Sequence, residues 1–118
     1  MGRTKKDITI KGRTAEEVKA AVEKWFHDNN YAIIENAPGM VKARWGTGAA
    51  TAAKYFQVSF LQADGGITAH TEGWSSALFA KEQEFSSSAL MGGIPRREGW
   101  KMMEQLWNLL QGLSIDKP

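Results

Sequence analysis

Residues 55–74 have the sequence YFQVSFLQADGGITAHTEGW, in which apolar and polar side chains alternate on both sides of a central Asp64-Gly65-Gly66. Alternation with a period of two is typical of a strand with one buried and one exposed face, and the Asp-Gly-Gly triplet indicates a tight turn. The stretch therefore predicts an antiparallel hairpin. Its expected inner face consists of Phe56, Val58, Phe60, Ile67, Ala69, Thr71 and Gly73.

A second predicted hairpin lies just before this one in the chain. Residues 31–35 and 40–45 are strand-like and flank Asn36-Ala37-Pro38-Gly39, where proline presets φ and glycine permits a positive φ in a four-residue turn. Alternation along these strands predicts an inner face of Ala32, Ile34, Val41, Ala43 and Trp45. Tyr31, Lys42 and Arg44 are then expected on the outer face.

Two amphipathic helices frame the hairpins. The first spans residues 14–29 and begins with a capping box, in which Thr14 and Glu17 can each satisfy a backbone N–H of the first turn. The second begins near Pro95, a residue suited to a first helical turn. Each helix has one apolar stripe, formed by Ala15, Val18, Val22, Trp25 and Phe26 in the first and by Trp100, Met103, Leu106, Trp107, Leu110 and Leu113 in the last.

The remaining segments are less regular. Residues 7–11 form a short predicted strand through Ile8 and Ile10, preceded by a basic tail over residues 1–6. Residues 75–93 are expected to form a further edge strand, a short helix or a flap, because structureless loops of that length are uncommon in compact domains. Residues 114–118 are expected to form a frayed C-terminal tail.

The order of these elements predicts the fold class. Strand, helix, four strands, an uncertain segment and a helix contain no regular βαβ alternation. We therefore expect an α+β fold with two layers, in which an antiparallel sheet of about five strands carries both long helices on one face. The order resembles helix-grip and TATA-binding-protein-like topologies, an analogy at the level of fold alone. The length of 118 residues fits a single domain over 1–118.

Composition excludes several classes of site. The chain has no cysteine, which rules out disulfides, thiolate metal sites and cysteine nucleophiles and suits a reducing compartment. We therefore expect a cytoplasmic location, and we expect no membrane span because no window approaches 18 apolar residues. The formal net charge is +2, and the basic N-terminus is only weak evidence for an anionic partner.

Catalytic and metal chemistry also have little support. The two histidines, His27 and His70, belong to no cluster with metal-ligand spacing, so we expect no metal and no cofactor. Ser59, His70 and Glu72 could lie together across the second hairpin, but no oxyanion hole accompanies them. We therefore expect a non-catalytic protein.

One functional hypothesis concerns the inner face. Small residues on the sheet face large aromatic residues on the helices, so this layer either closes as an ordinary core or leaves a cavity. The working hypothesis is a binding module for a small apolar or lipid-like ligand between sheet and helices, with residues 75–93 as its lid. The candidate cavity residues are Trp25, Trp45, Phe60, Phe79, Trp100 and Trp107.

The alternative hypothesis uses the outer face of the sheet. Aromatic and basic side chains there could stack on bases and hold phosphates, or could anchor a protein partner. Two nearby glutamates, Glu35 and Glu72, and the small net charge count against nucleic acid. The outer-face candidates are Tyr31, Lys42, Arg44, Tyr55, His70 and Trp74.

Overall fold

A computed structural model describes residues 3–46, 53–76, 85 and 93–115 of the chain. Its elements are β1 (Thr4–Lys11), α1 (Ala15–Asp28), β2 (Ala32–Ala37), β3 (Met40–Trp45), β4 (Ala53–Ala63), β5 (Gly66–Ser76) and α2 (Gly93–Gly112). The predicted α+β class is confirmed. The extra element expected within residues 75–93 falls largely outside the described residues. Neither described helix combines the length and apolar character needed to cross a membrane.

The five described strands form one antiparallel sheet in the order β1-β5-β4-β3-β2. The β4–β5 hairpin turns at Asp64 and Gly65, as predicted, and Gly65 has a φ of 75°. In the β2–β3 hairpin, Ala37 pairs with Met40, so the loop contains two residues rather than the predicted four. β1 begins at Thr4, and residues 4–6 therefore belong to the sheet rather than to the basic tail.

A bulge in β2 changes which side chains face the helices. Ile33 pairs with Ala43 and Glu35 pairs with Lys42, so Ile34 is an extra residue, and its side chain is 39% exposed. An extra residue in a strand moves every side chain before it to the opposite face of the sheet. Tyr31 is consequently buried in the core, whereas Ala32 is exposed. The predicted placements of Tyr31 on the outer face and of Ala32 and Ile34 on the inner face are wrong.

Both helices pack on the inner face of the sheet, α1 against β2, β3 and β4, and α2 against β1, β4 and β5. The predicted capping box is present: the Glu17 amide donates to the Thr14 hydroxyl over 3.1 Å, and the Thr14 amide donates to the Glu17 carboxylate over 2.9 Å. Asn30, with a φ of 62°, follows the end of α1. The sheet contributes to the core the buried residues Ile8, Ile10, Val41, Ala43, Phe56, Val58, Phe60, Ile67 and Ala69.

Phe85 completes the core from the connection between β5 and α2. Its side chain is buried, and its backbone N–H donates to the Thr4 hydroxyl over 2.9 Å. The ring fits between Gly73 of β5 and Gly99 of α2, where an added Cβ would come within 2.5 Å and 2.1 Å of it, respectively. Two glycines on facing elements therefore make room for one phenylalanine.

Candidate ligand-binding site

Among the residues that the structure describes, the layer between sheet and helices leaves an opening where β3 ends and β4 begins. A pocket of about 350 Å³ lies there, and we call it the Trp45 pocket. Its walls come from the end of α1, the start of β2, the facing ends of β3 and β4, and one side of α2. The lining residues are Asn29, Tyr31, Trp45, Lys54, Glu98, Lys101, Met102 and Gln105.

Lys54 is the most unusual of these residues because it lies on the inner face of the sheet. Alternation with the buried Phe56 places it there, opposite Trp45 in the β3–β4 register, and it is only 6% exposed. Its ammonium lies 3.3 Å from a carboxylate oxygen of Glu98 and 4.0 Å from the centroid of the Trp45 ring. Lysine is rarely buried unless its charge is paired, so this position demands a partner.

The two members of the Lys54–Glu98 pair have different surroundings. The Lys54 side chain is 8% exposed, whereas the Glu98 side chain is 58% exposed. Lys101, one turn further along α2, is also exposed. The described lining of the Trp45 pocket therefore carries two ammonium groups and one carboxylate, and the carboxylate is well solvated.

Tyr31 forms an inner wall of the pocket. Its ring stacks on Trp25 at 5.8 Å and meets the edge of Phe56 at 5.0 Å. Burial, followed by the negative charge of Glu98, raises the pKa of the Tyr31 hydroxyl above its ordinary value. The hydroxyl is thus a neutral hydrogen-bond donor close to the pocket.

The predicted cavity residues separate into three groups. Trp45 lines the Trp45 pocket, and it is the only one of the described candidates to do so. Trp25, Phe60 and Trp107 pack in or against the core, while Trp100 is half-buried with its ring edge-to-face on Trp107 at 5.7 Å. Phe79 lies outside the described residues.

The sequence did not place the other lining residues in this pocket, although for some of them its pattern contained the necessary information. Extending the alternation of β4 by one position before Tyr55 would have placed Lys54 inside. Tyr31 was missed because of the bulge at Ile34. Glu98 and Met102 lie on α2, and no sequence pattern marks their approach to the sheet.

The outer face is largely covered by its own side chains. Tyr55 and Trp74 are opposite each other in the β4–β5 register and stack at 5.3 Å with an interplanar angle of 10°. The Arg3 guanidinium lies 3.7 Å above the Trp74 ring and the Lys42 ammonium 5.4 Å from it, so Trp74 is only 3% exposed. Arg44 is half-buried beside them. Trp74 is therefore not open for stacking on a base in this conformation.

His70 lies on the outer face between two carboxylates. Its Nδ1 is 2.5 Å from Asp7, and its Nε2 is 2.8 Å from Glu72. The hydrogen bond to Asp7, followed by that to Glu72, raises the pKa of His70. For Glu72, burial raises the pKa, but the hydrogen bonds from His70 and Arg3 outweigh it and lower the pKa overall. Both carboxylates therefore favour the protonated form of the His70 imidazole.

This arrangement does not resemble a catalytic triad or a metal site. Ser59 is opposite His70 in the β4–β5 register, but both imidazole nitrogens are already engaged by carboxylates. The two carboxylates occupy opposite edges of the ring and do not converge on one point. In the part of the chain that the structure describes, no group of three or more His, Cys, Asp or Glu side chains could hold a metal ion.

Comparison with known proteins adds no family assignment. No protein-family model matches the chain, and no curated protein sequence is significantly similar to it. The function has to be inferred from the geometry of the Trp45 pocket and of the outer face.

Proposed function

We propose that the protein is a non-catalytic binding module that holds a small apolar or lipid-like ligand in the Trp45 pocket. The observation that carries this proposal is the opening between sheet and helices beside Trp45, a residue on the inner face that is nevertheless 40% exposed. A large aromatic side chain left exposed in a concave site is a common feature of ligand pockets.

The size and walls of the pocket define what it can hold. A volume of about 350 Å³ is near the lower end of small-molecule sites, which range from about 300 to 1,000 Å³. Trp45 and Met102 offer apolar surface, and Tyr31 offers a neutral donor. A compact aromatic molecule of up to three rings, or a short alkyl chain, suits these dimensions better than a long acyl chain.

The chemistry of the lining residues favours binding over catalysis. The Lys54 ammonium is paired with Glu98 and lies 4.0 Å from the centroid of the Trp45 ring. A charge held in this way is suited to orienting a bound ligand. Tyr31 stays protonated, so it is a donor rather than a base. A cysteine-free binding module of this kind is suited to a reducing compartment, and the cytoplasm is the location we propose.

The outer face supports a nucleic-acid or protein-interaction module less well. The stacking surface of Trp74 is covered by Arg3, and basic side chains there alternate with carboxylates, as in the Lys42–Glu35 and Arg3–Glu72 pairs. Phosphate recognition needs an excess of positive charge. This face therefore remains the second candidate.

A titration with the uncharged fluorescent probe N-phenyl-1-naphthylamine tests the proposed function. We expect saturable binding with one site per chain, and we expect Trp45→Ala to weaken it by about tenfold because an apolar wall is lost. Ile34→Ala is the matched control, since Ile34 is 39% exposed but lies outside the pocket. Absence of saturable binding both by this probe and by an acidic analogue of it, or equal binding by the Trp45→Ala variant, would refute the proposal.

A further inference from the structure

We infer that the ligand of the Trp45 pocket is a small amphipathic anion, whose acidic group binds the Lys54 ammonium in exchange for Glu98. This inference rests on the proposed function and specifies the class of ligand. The acidic group is a carboxylate or sulfonate, or a group of similar charge, attached to an aromatic or short aliphatic body.

The charge of the described pocket lining favours an anion. Among the described lining residues, Lys54 and Lys101 contribute two positive charges and Glu98 contributes one negative charge. Charge complementarity between a site and its ligand favours the ligand of opposite sign. An anion therefore suits this pocket better than a cation.

The two members of the Lys54–Glu98 pair are unequally buried, which also favours an anion. Glu98 is mostly solvated, so moving its carboxylate into water costs little, as for exposed ion pairs in general. Lys54 is buried, and leaving a buried charge without a partner is strongly unfavourable. An incoming anion can replace Glu98 and leave both charges satisfied. An incoming cation would instead pair with Glu98 and leave the buried Lys54 ammonium without a charged partner.

Neutral polar groups and apolar surface line the same pocket as Lys54. Tyr31, Asn29 and Gln105 also line the pocket, and each can donate a hydrogen bond to an acidic oxygen. The Trp45 ring and Met102 line the same pocket and can contact the body of the ligand. Charge-assisted hydrogen bonds at one end and apolar contacts at the other define an amphipathic ligand.

The test compares two fluorescent probes that differ in one charged group. 8-Anilinonaphthalene-1-sulfonate carries a sulfonate, and N-phenyl-1-naphthylamine has the same ring framework without it. We expect the native protein to bind the sulfonate probe about tenfold more tightly than the neutral probe, in keeping with a charge-assisted contact. Lys54→Met should abolish this difference, whereas Lys24→Met, at a lysine that is 77% exposed and does not line the pocket, should leave it unchanged.

Glu98→Gln tests the inference through an expected increase in affinity rather than a loss. Removing the competing carboxylate should increase affinity for the sulfonate probe several-fold, and by a clearly larger factor than any change in affinity for the neutral probe. This variant retains a polar side chain at an exposed helix position, so it decides the question even if Lys54→Met fails to fold. Unchanged or weaker sulfonate binding by Glu98→Gln overturns the inference.

The two proposals fail in different ways. If neither probe binds saturably, the proposed function is wrong, and the anion inference is overturned with it. If the neutral probe binds in a Trp45-dependent way but the sulfonate probe binds no more tightly, the binding module stands and only the anionic ligand is rejected.

Discussion

The indole N–H of Trp107 donates a hydrogen bond to the buried Thr71 hydroxyl over 2.9 Å. That hydroxyl in turn donates to the backbone carbonyl of Lys6 over 2.7 Å. One threonine on the inner face thus connects α2, β5 and β1, and it uses both its donor and its acceptor capacity. Buried polar groups satisfied in this way fix the relative positions of the elements that carry them.

Thr71→Val should test the importance of this connection. Valine has almost the same shape but leaves the Trp107 indole N–H in the core without an acceptor. We expect the free energy of unfolding to fall by about 2 kcal/mol, measured by urea denaturation. Thr68→Val is the control: its hydroxyl faces Thr9 on the exposed side of the sheet, and its loss should cost no more than about 0.5 kcal/mol. Equal effects of the two substitutions would contradict this role for Thr71.

Stability should depend on pH through His70 and Glu72. The pKa of His70 is raised in the folded state. The stability that His70 contributes is therefore fully present below its ordinary pKa of 6.5 and is lost as the pH rises through the raised pKa. The pKa of Glu72 is lowered, so its contribution is present above 4.5 and is lost as the pH falls through the lowered pKa. The two contributions therefore coincide between about pH 4.5 and 6.5.

The measurement is the urea midpoint of the native protein and of His70→Asn at pH 5.5 and 8.5. We expect the native midpoint to be higher at pH 5.5, and we expect a smaller difference between the two pH values in the variant. Identical pH dependence of both proteins would show that the Asp7–His70–Glu72 cluster does not contribute in this way.

Two glycines of α2 should respond oppositely to the same substitution. Alanine favours a helix over glycine by about 1 kcal/mol, but a Cβ at Gly99 would lie 2.1 Å from the Phe85 ring. Gly99→Ala should therefore give a net loss of about 1–2 kcal/mol in thermal or urea unfolding. Gly112→Ala, which has no heavy atom within 4 Å of the new Cβ, should not lower stability.

A double-mutant cycle then separates overpacking from other causes. Phe85→Ala removes the ring that the new Cβ would meet, so Gly99→Ala should no longer be destabilising in that background. If the loss persists without the ring, the contact between Gly99 and Phe85 is not its cause.

The capping box of α1 gives a further prediction. Thr14→Ala removes the acceptor of the Glu17 amide, and we expect the free energy of unfolding to fall by about 1 kcal/mol. Glu16→Ala, in the same helical turn but outside the capping box, serves as the control and should cost clearly less. Calorimetric or chemical unfolding of the two variants side by side checks the expectation.

Much of the fold follows from local patterns in the sequence. In the hairpin over residues 55–74, Phe56 and Val58 are fully buried as their alternation predicts, and the turn lies at the Asp-Gly-Gly triplet. The capping box at Thr14 is present as expected. These features depend on neighbours in the sequence, which explains why the sequence alone was sufficient.

The bulge and the pocket could not be predicted in the same way. Ile33 and Ile34 are equally apolar, so the sequence does not show which of them is the extra residue, and Tyr31 was assigned to the wrong face. The position at which α2 crosses the sheet determines which aromatic residue borders the pocket. That crossing brings Glu98 to Lys54 across 44 positions of sequence, and no local pattern encodes it.

The extra residue in β2 has a consequence beyond the placement of Tyr31. β2 is the terminal strand of the described sheet, so its outer edge presents backbone amides and carbonyls to which another chain could add. A strand with a bulge at Ile34 is a poor template for the addition of a further strand, because the incoming strand would lose its register halfway along. We therefore expect the irregularity that brings Tyr31 into the core also to disfavour edge-to-edge pairing between copies of the protein along β2.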